Sequence, residues 1–170
     1  MRIPRFSGPR RRREKGSITM EMALAMPVFL LLIAGVVDLS MLYWEKHVVT
    51  NAAREGARAA SKAGNNGMSD NANLSISQVK TTVQTYLRKF GIKNLDGTDI
   101  TLTDSNFAYT VVGTPPDTIL TVKLNNIPYK MMLLPNIKTL FGESRTSGDD
   151  AFYLTAQTSM PAQWKNPPSP

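Results

Sequence analysis

The stretch that decides the fold reads Gly16-Ser17-Ile18-Thr19-Met20-Glu21, then an apolar run from Met22 to Val37, and closes on Asn51-Ala52-Ala53-Arg54-Glu55-Gly56-Ala57-Arg58. From Met22 to Trp44 the only charged residue is Asp38. As a helix that segment would be roughly 34 Å long, enough to cross a hydrocarbon layer of about 30 Å. Tyr43 and Trp44 stand where interfacial aromatics belong, and Glu45-Lys46-His47 are expected to follow in water. Pro27 falls in the first third, where it would kink a helix and free a carbonyl. The competing assignment is the core helix of a soluble protein. Such a helix is not usually preceded by an arginine cluster.

Charge supports the membrane assignment. The chain has 170 residues and a formal net charge of +7. Residues 1–15 hold Arg2, Arg5, Arg10, Arg11, Arg12, Arg13 and Lys15 against Glu14, which is 7 − 1 = +6, so the remainder carries only 7 − 6 = +1. The basicity lies in a short leader and not on a folded face, which argues against nucleic acid as a partner. Basic residues beside a span hold that end in the cytoplasm, so the part beyond residue 45 is expected across the membrane, next to lipid at its base. A cleaved secretory signal fits less well, because the apolar core is too long and no small-residue cleavage site follows it.

The expected organisation is a basic cytoplasmic leader over 1–16, a transmembrane helix over 17–44, its extracytoplasmic continuation over 45–64, a small domain over 65–162 and a tail over 163–170. Within the leader boundary, Gly16 would let backbone enter a narrow protease groove. Glu21, five residues on, would cost on the order of 3 kcal/mol if unpaired at the top of a membrane helix. Cutting between Gly16 and Ser17 would create an ammonium on Ser17 able to neutralise Glu21 in the same or a neighbouring chain. Glu21 is also favoured by the helix dipole.

These residues resemble a known family. Gly-x-x-x-x-Glu before a long apolar helix is similar to the leader of type IV pilins. Glu21, Ala23, Pro27, Asp38 and the Ala52 to Arg58 run resemble the TadE/TadF-like pseudopilins of tight-adherence, Flp-type pilus systems. Where many pilins carry an aromatic after the glutamate, this chain has Met22. The resemblance implies a bacterial inner-membrane protein cleaved by a prepilin peptidase. It also implies a minor role in initiating, tipping or assembling the pilus. The implied partners are other pseudopilins, the major pilin and the inner-membrane assembly platform.

Beyond the span, Ala53, Gly56, Ala57, Ala60 and Ala63 recur at helical spacing and give one side small residues, which allow close approach of another backbone. That side is either a subunit contact or a seat for the chain's own C-terminal domain. Arg54 and Arg58 stand four apart, with Glu55 placed to offset their repulsion. Asp38 is expected either to pair with a neighbouring helix or to face water as the helix leaves the bilayer.

Gly64-Asn65-Asn66-Gly67 should stop the helix. Ser75 with Gln78 forms a capping box, and Val79, Val83, Tyr86, Leu87 and Phe90 line one side of a second helix ended by Gly91. From Asp96 the period becomes two. Strands are expected at Ile100–Leu102, Phe107–Val111, Ile119–Leu124 and Ala151–Met160, with a turn at Pro115-Pro116-Asp117. Ile127–Phe141, broken by Pro128 and Pro135, is expected to be a loop with a short helix. Its Met131–Leu134 segment is either a contact surface or, preferably, a crossover packed on the sheet. The fold class is α+β, pilin-like: a long N-terminal helix followed by a small antiparallel sheet with a second helix.

No catalytic constellation is apparent, and the chain is not expected to be an enzyme or to hold a cofactor. There is no cysteine and only one histidine, so nucleophile–base pairs and thiolate metal sites lack their components. The spaced acids Asp96, Asp99 and Asp104 are typical of turns and make a weak case for calcium. The alternative role is an uncleaved single-pass anchor displaying a small binding domain.

Overall fold

The structure is a computed structural model and describes residues 14–62, 75–114, 117–133 and 151–163, with side chains from Ile18 onward. Residues 1–13 of the leader, the Gly64–Gly67 stop, Pro115-Pro116, the Leu134–Asp150 stretch and the tail from Trp164 lie outside the described residues.

One helix, α1 (Glu14–Lys62), takes in both the apolar run and the alanine-rich run, and continues through Pro27. At 1.5 Å per residue its 49 residues extend about 73 Å. Its proximal half stands alone: an 18-residue apolar stretch is only 11% buried. A soluble core helix would be covered there. The distal half is covered, with Val48, Val49, Ala52, Ala53, Ala57 and Ala60 in the core.

Helix α2 (Ile76–Lys89) forms as its local signals require. Ser75 accepts the Gln78 N–H, and the Gln78 side chain accepts the Ser75 N–H at 2.7 Å. This reciprocal cap satisfies two donors that the first turn leaves free. At the other end the Gly91 N–H donates to the Arg88 carbonyl, and the Ile92 N–H to that of Leu87. The closure needs a left-handed residue, which Gly91 supplies at φ +75°. Val79, Val83 and Leu87 are buried. Tyr86 is half-buried and packs on the exposed Phe90, with ring centroids 4.8 Å apart and the rings tilted by 38°.

The sheet has three strands, β1 (Phe107–Val112), β2 (Ile119–Lys130) and β3 (Ala151–Pro161), antiparallel in the order β1-β2-β3. It packs on the distal half of α1, which α2 also joins. Together these elements make the expected α+β fold.

Two strand expectations are corrected. Ile100 and Leu102 are buried but belong to no strand; an isolated bridge between Lys93 and Asp99 is all that forms there. The reason is competition from α2. The Gln84 side chain accepts the Leu102 N–H at 3.1 Å, and Arg88 donates to the Ile100 carbonyl at 3.0 Å. Their backbone groups are satisfied by side chains instead of a ladder.

The second correction falls on Ile127–Lys130, which is strand and not loop. β2 continues past a bulge at Asn125 and Asn126 into pairing with β3 from Ile127↔Leu154 to Lys130↔Ala151. Asn126 takes φ 51°, and the Asn106 amide donates to both bulge carbonyls at 3.2 Å. The bulge shifts the alternation by one, so the inward set runs Leu120, Val122, Leu124 and then Ile127, Tyr129. Pro128 is tolerated because β1 pairs only as far as Leu124, leaving that edge of β2 without a strand neighbour among the described residues.

Gly56 is where the three units close together. A Cβ there would lie 2.4 Å from Val83 Cγ2 on α2 and 3.5 Å from Val122 Cγ1 on β2. Val83 is stiff at χ1 and cannot swing clear. Gly56→Ala is expected to lower stability by about 1–3 kcal/mol through overpacking. Adding Val83→Ala should recover part of the loss. Thermal unfolding of the single and double variants in detergent checks this.

Candidate functional site

The candidate functional surfaces lie along α1, and among the described residues three ties fix the sheet to it. At the distal end the Ser61 hydroxyl donates to the Pro161 carbonyl at 2.8 Å, and the Gln163 N–H donates to the Ser61 carbonyl at 3.0 Å. Midway the Lys46 ammonium donates to the Thr155 carbonyl. At the proximal end stands Asp38. β3 therefore runs alongside α1 in the same direction, with its Ala151 end toward the apolar half of the helix.

Asp38 is 1% exposed. Its carboxylate accepts the Met132 N–H at 3.2 Å and the Leu133 N–H at 3.0 and 3.1 Å. The Tyr129 hydroxyl donates to the Asp38 carbonyl at 3.0 Å. Of the two environments expected for Asp38, facing water is corrected by this burial. The carboxylate takes two consecutive backbone donors just past the end of β2, where no ladder would use them. No sequence signal announces this pairing, since the partners are main-chain groups more than ninety residues away.

Glu45 lies two turns further along the same inward stripe and is half-buried. Burial raises its carboxyl pKa to about 7. Nearby, burial first, and then the Asp38 and Glu45 charges, hold the Tyr129 phenol above its ordinary range. Sequence reasoning placed Glu45 only in water beyond the interfacial aromatics. Its position seven residues after Asp38 was the available sign that both acids share a face.

The remaining expected site residues divide by face. Ala53, Gly56 and Ala57 are buried in the chain's own core. Of the two uses left open for the small-residue side, packing within the chain is the one observed for these three. Arg54 and Arg58 are exposed, and Arg58 lies 3.8 Å from Glu55. Such a surface pair contributes about 0–1 kcal/mol. Glu21 and Pro27 are exposed within the apolar band, and Glu21 has no hydrogen-bond or ion-pair partner among the described residues. Gly16 and Ser17 have helical backbone in the first turn of α1. Among the described residues no three His, Asp or Glu come together as a metal-holding group.

This geometry defines a class: an α+β protein carried on one membrane-length helix whose distal half is the spine of a small sheet domain. Within that class, one segment of the chain is similar to a known family. The family model for TadE-like protein matches residues 16–58, which include Gly16, Glu21, Pro27, Asp38 and the Ala52–Arg58 run. The match associates the chain with tight-adherence pilus systems, and the apolar helix supports membrane anchoring. No curated protein and no solved structure matches the chain.

Two outcomes follow from the acids of the inward stripe. Asp38→Ala leaves the Met132 and Leu133 N–H groups without their acceptor. It is expected to destabilise the junction by about 2–3 kcal/mol, with faster hydrogen exchange at those two amides and little change in α2. Glu45 retains a proton up to about pH 7 in the folded chain, whereas the unfolded chain loses it near 4.5. The folded state binds the extra proton between these values, so this group's contribution to stability declines as pH rises through that window. Glu45→Gln is expected to flatten the decline. It should raise the melting temperature by about 2–4 °C at pH 8, corresponding to roughly 1 kcal/mol, and change it little at pH 4.5.

Proposed function

We propose that this chain is a minor pseudopilin of a tight-adherence pilus machine, cleaved between Gly16 and Ser17 by a prepilin peptidase and acting in initiation, tipping or assembly of the pilus. Its role is structural and not enzymatic. The observation that carries the proposal is the coincidence of the TadE-like match with a helix whose apolar half is uncovered. The proposed partners are other pseudopilins, the major pilin and the inner-membrane assembly platform.

The proposed topology puts the N-terminus in the cytoplasm and the sheet domain on the other side of the inner membrane. Because Asp38 is bonded to the end of the sheet, the hydrocarbon layer on that side ends near Val37, earlier than Trp44. Ile18–Val37 is then the span, about 30 Å long. Tyr43 and Trp44, both exposed, fall in the interfacial layer.

Glu21, exposed in the apolar band, is placed to accept the Ser17 ammonium of its own chain or a neighbour. Cleavage requires the first turn of α1 to open, and Gly16 weakens that turn. Exposed Arg54 and Arg58 offer a basic face for an acidic partner on the aqueous side. The test is the N-terminal mass of the chain extracted from membranes of a host expressing the peptidase. A chain beginning at Ser17 supports the proposal; one retaining Arg10–Arg13 supports an uncleaved anchor instead. Glu21→Gln is expected to insert normally but to lower pilus yield roughly tenfold, from loss of a charge-assisted pair worth about 1.5–3 kcal/mol. Unchanged piliation by electron microscopy would contradict this role.

A further inference from the structure

Between α1 and β3 lies a groove of about 700 Å³, within the roughly 300–1,000 Å³ range of small-ligand sites. Leu39, Leu42 and Tyr43 form its helix wall, and Phe152 and Leu154 its strand wall. Lys46 closes the distal end, tied to the Thr155 carbonyl. The ties at Asp38 and Ser61 set the polarity of this groove. Its apolar end faces the membrane half of α1, and its cationic end faces away.

We propose that this groove seats a phospholipid drawn up from the surrounding bilayer, with the upper part of an acyl chain past the hydrocarbon edge at Val37 along Leu39, Leu42 and Phe152 and the phosphate at Lys46. Two observations select this occupant. The first is continuity. Leu39 and Phe152 are 66% and 43% exposed, and Leu39 continues at helical spacing into exposed Val36 and Leu32 of the apolar band. The groove is therefore an extension of the lipid-facing surface. The second is charge. Lys46 stands two turns above Asp38, on the headgroup side of the hydrocarbon edge, and forms no ion pair among the described residues. One ammonium proton is used by Thr155, and two are left for phosphate oxygens. Exposed Tyr43 and Tyr153 flank the entrance with the amphipathic rings typical of a membrane interface.

This inference rests on the membrane assignment of α1, and one experiment separates the two. The full chain is reconstituted in nanodiscs containing phosphatidylglycerol with a photoactivatable diazirine in its acyl chain, illuminated, digested and mapped by mass spectrometry. Adducts are expected on Phe152–Leu154 as well as on Val28–Leu32, the internal reference for lipid contact. Lys46→Glu should reduce the Phe152–Leu154 adducts roughly fivefold, as expected for losing one cation near the headgroups, and leave those on Val28–Leu32 unchanged. Phe152→Asp, at an exposed position, should act likewise and serves if the first variant does not fold. Labelling of Val28–Leu32 without Phe152–Leu154 would overturn the lipid site alone. So would cross-linking of Phe152–Leu154 to a second protein chain, because the occupant would then be protein. Absence of labelling at both places would overturn the membrane assignment with it.

Discussion

A carboxylate out of water needs donors, and a strand that ends needs acceptors. At Asp38 each solves the other's problem. The side chain is nearly without solvent contact, and it receives the Met132 and Leu133 N–H groups just past the end of β2. Tyr129 closes the arrangement by donating to the Asp38 carbonyl. Charge-assisted bonds of this kind are stronger than neutral ones. They also have direction, because the donors exist at one end of the strand only. The sheet is therefore mounted on the helix in one orientation, with the Phe152 end of β3 toward the apolar half of α1.

The helix itself answers two different demands. Its proximal half carries large apolar side chains that remain exposed, such as Leu24, Leu30 and Leu32. In water these would be unfavourable at roughly 25 cal/mol for every Å² left uncovered. A hydrocarbon layer would remove that cost. Its distal half carries alanine and glycine on the inward side, which bring the backbone close to α2 and β2. At Gly56 there is no room for even one methyl group. Side-chain size changes along one continuous helix: large and uncovered in the membrane-length half, small and buried where α2 and β2 pack.

Asp38 and Glu45 mark the transition between these halves, and their fates differ. Asp38 has backbone donors. Glu45 has none among the described residues, and its half-buried position raises its carboxyl pKa. The polar groups that tie the sheet to the helix, at Asp38, Lys46 and Ser61, are spaced over about 34 Å of α1. They align β3 with the helix over nearly its whole length and create the groove between them. A TadE-like segment ending at residue 58 accordingly includes two of those three ties.

Much of the architecture was legible in the residues themselves. The apolar run, the reciprocal cap of Ser75 and Gln78, the left-handed stop at Gly91 and the alternation in β1, β2 and β3 are local patterns, each read within a few residues. Their physics is short-range: sterics, propensity and hydrogen bonds to near neighbours. The fate of Ile100–Leu102 was not legible, because Gln84 and Arg88 of another element took its backbone groups. Pro128 argued against a strand until the missing neighbour on its side of β2 was known. The small-residue side of α1 suited two partners equally, and only packing identified which it met. Asp38 could be located but not assigned. Thus the sequence alone determined the elements, the class and the membrane-length helix, because these depend on composition and period. The tertiary structure decided register past the bulge, the orientation of the sheet and the partner of the buried acid. These depend on main-chain donors and acceptors, which every residue but proline carries in full and which leave no mark in the sequence of side chains.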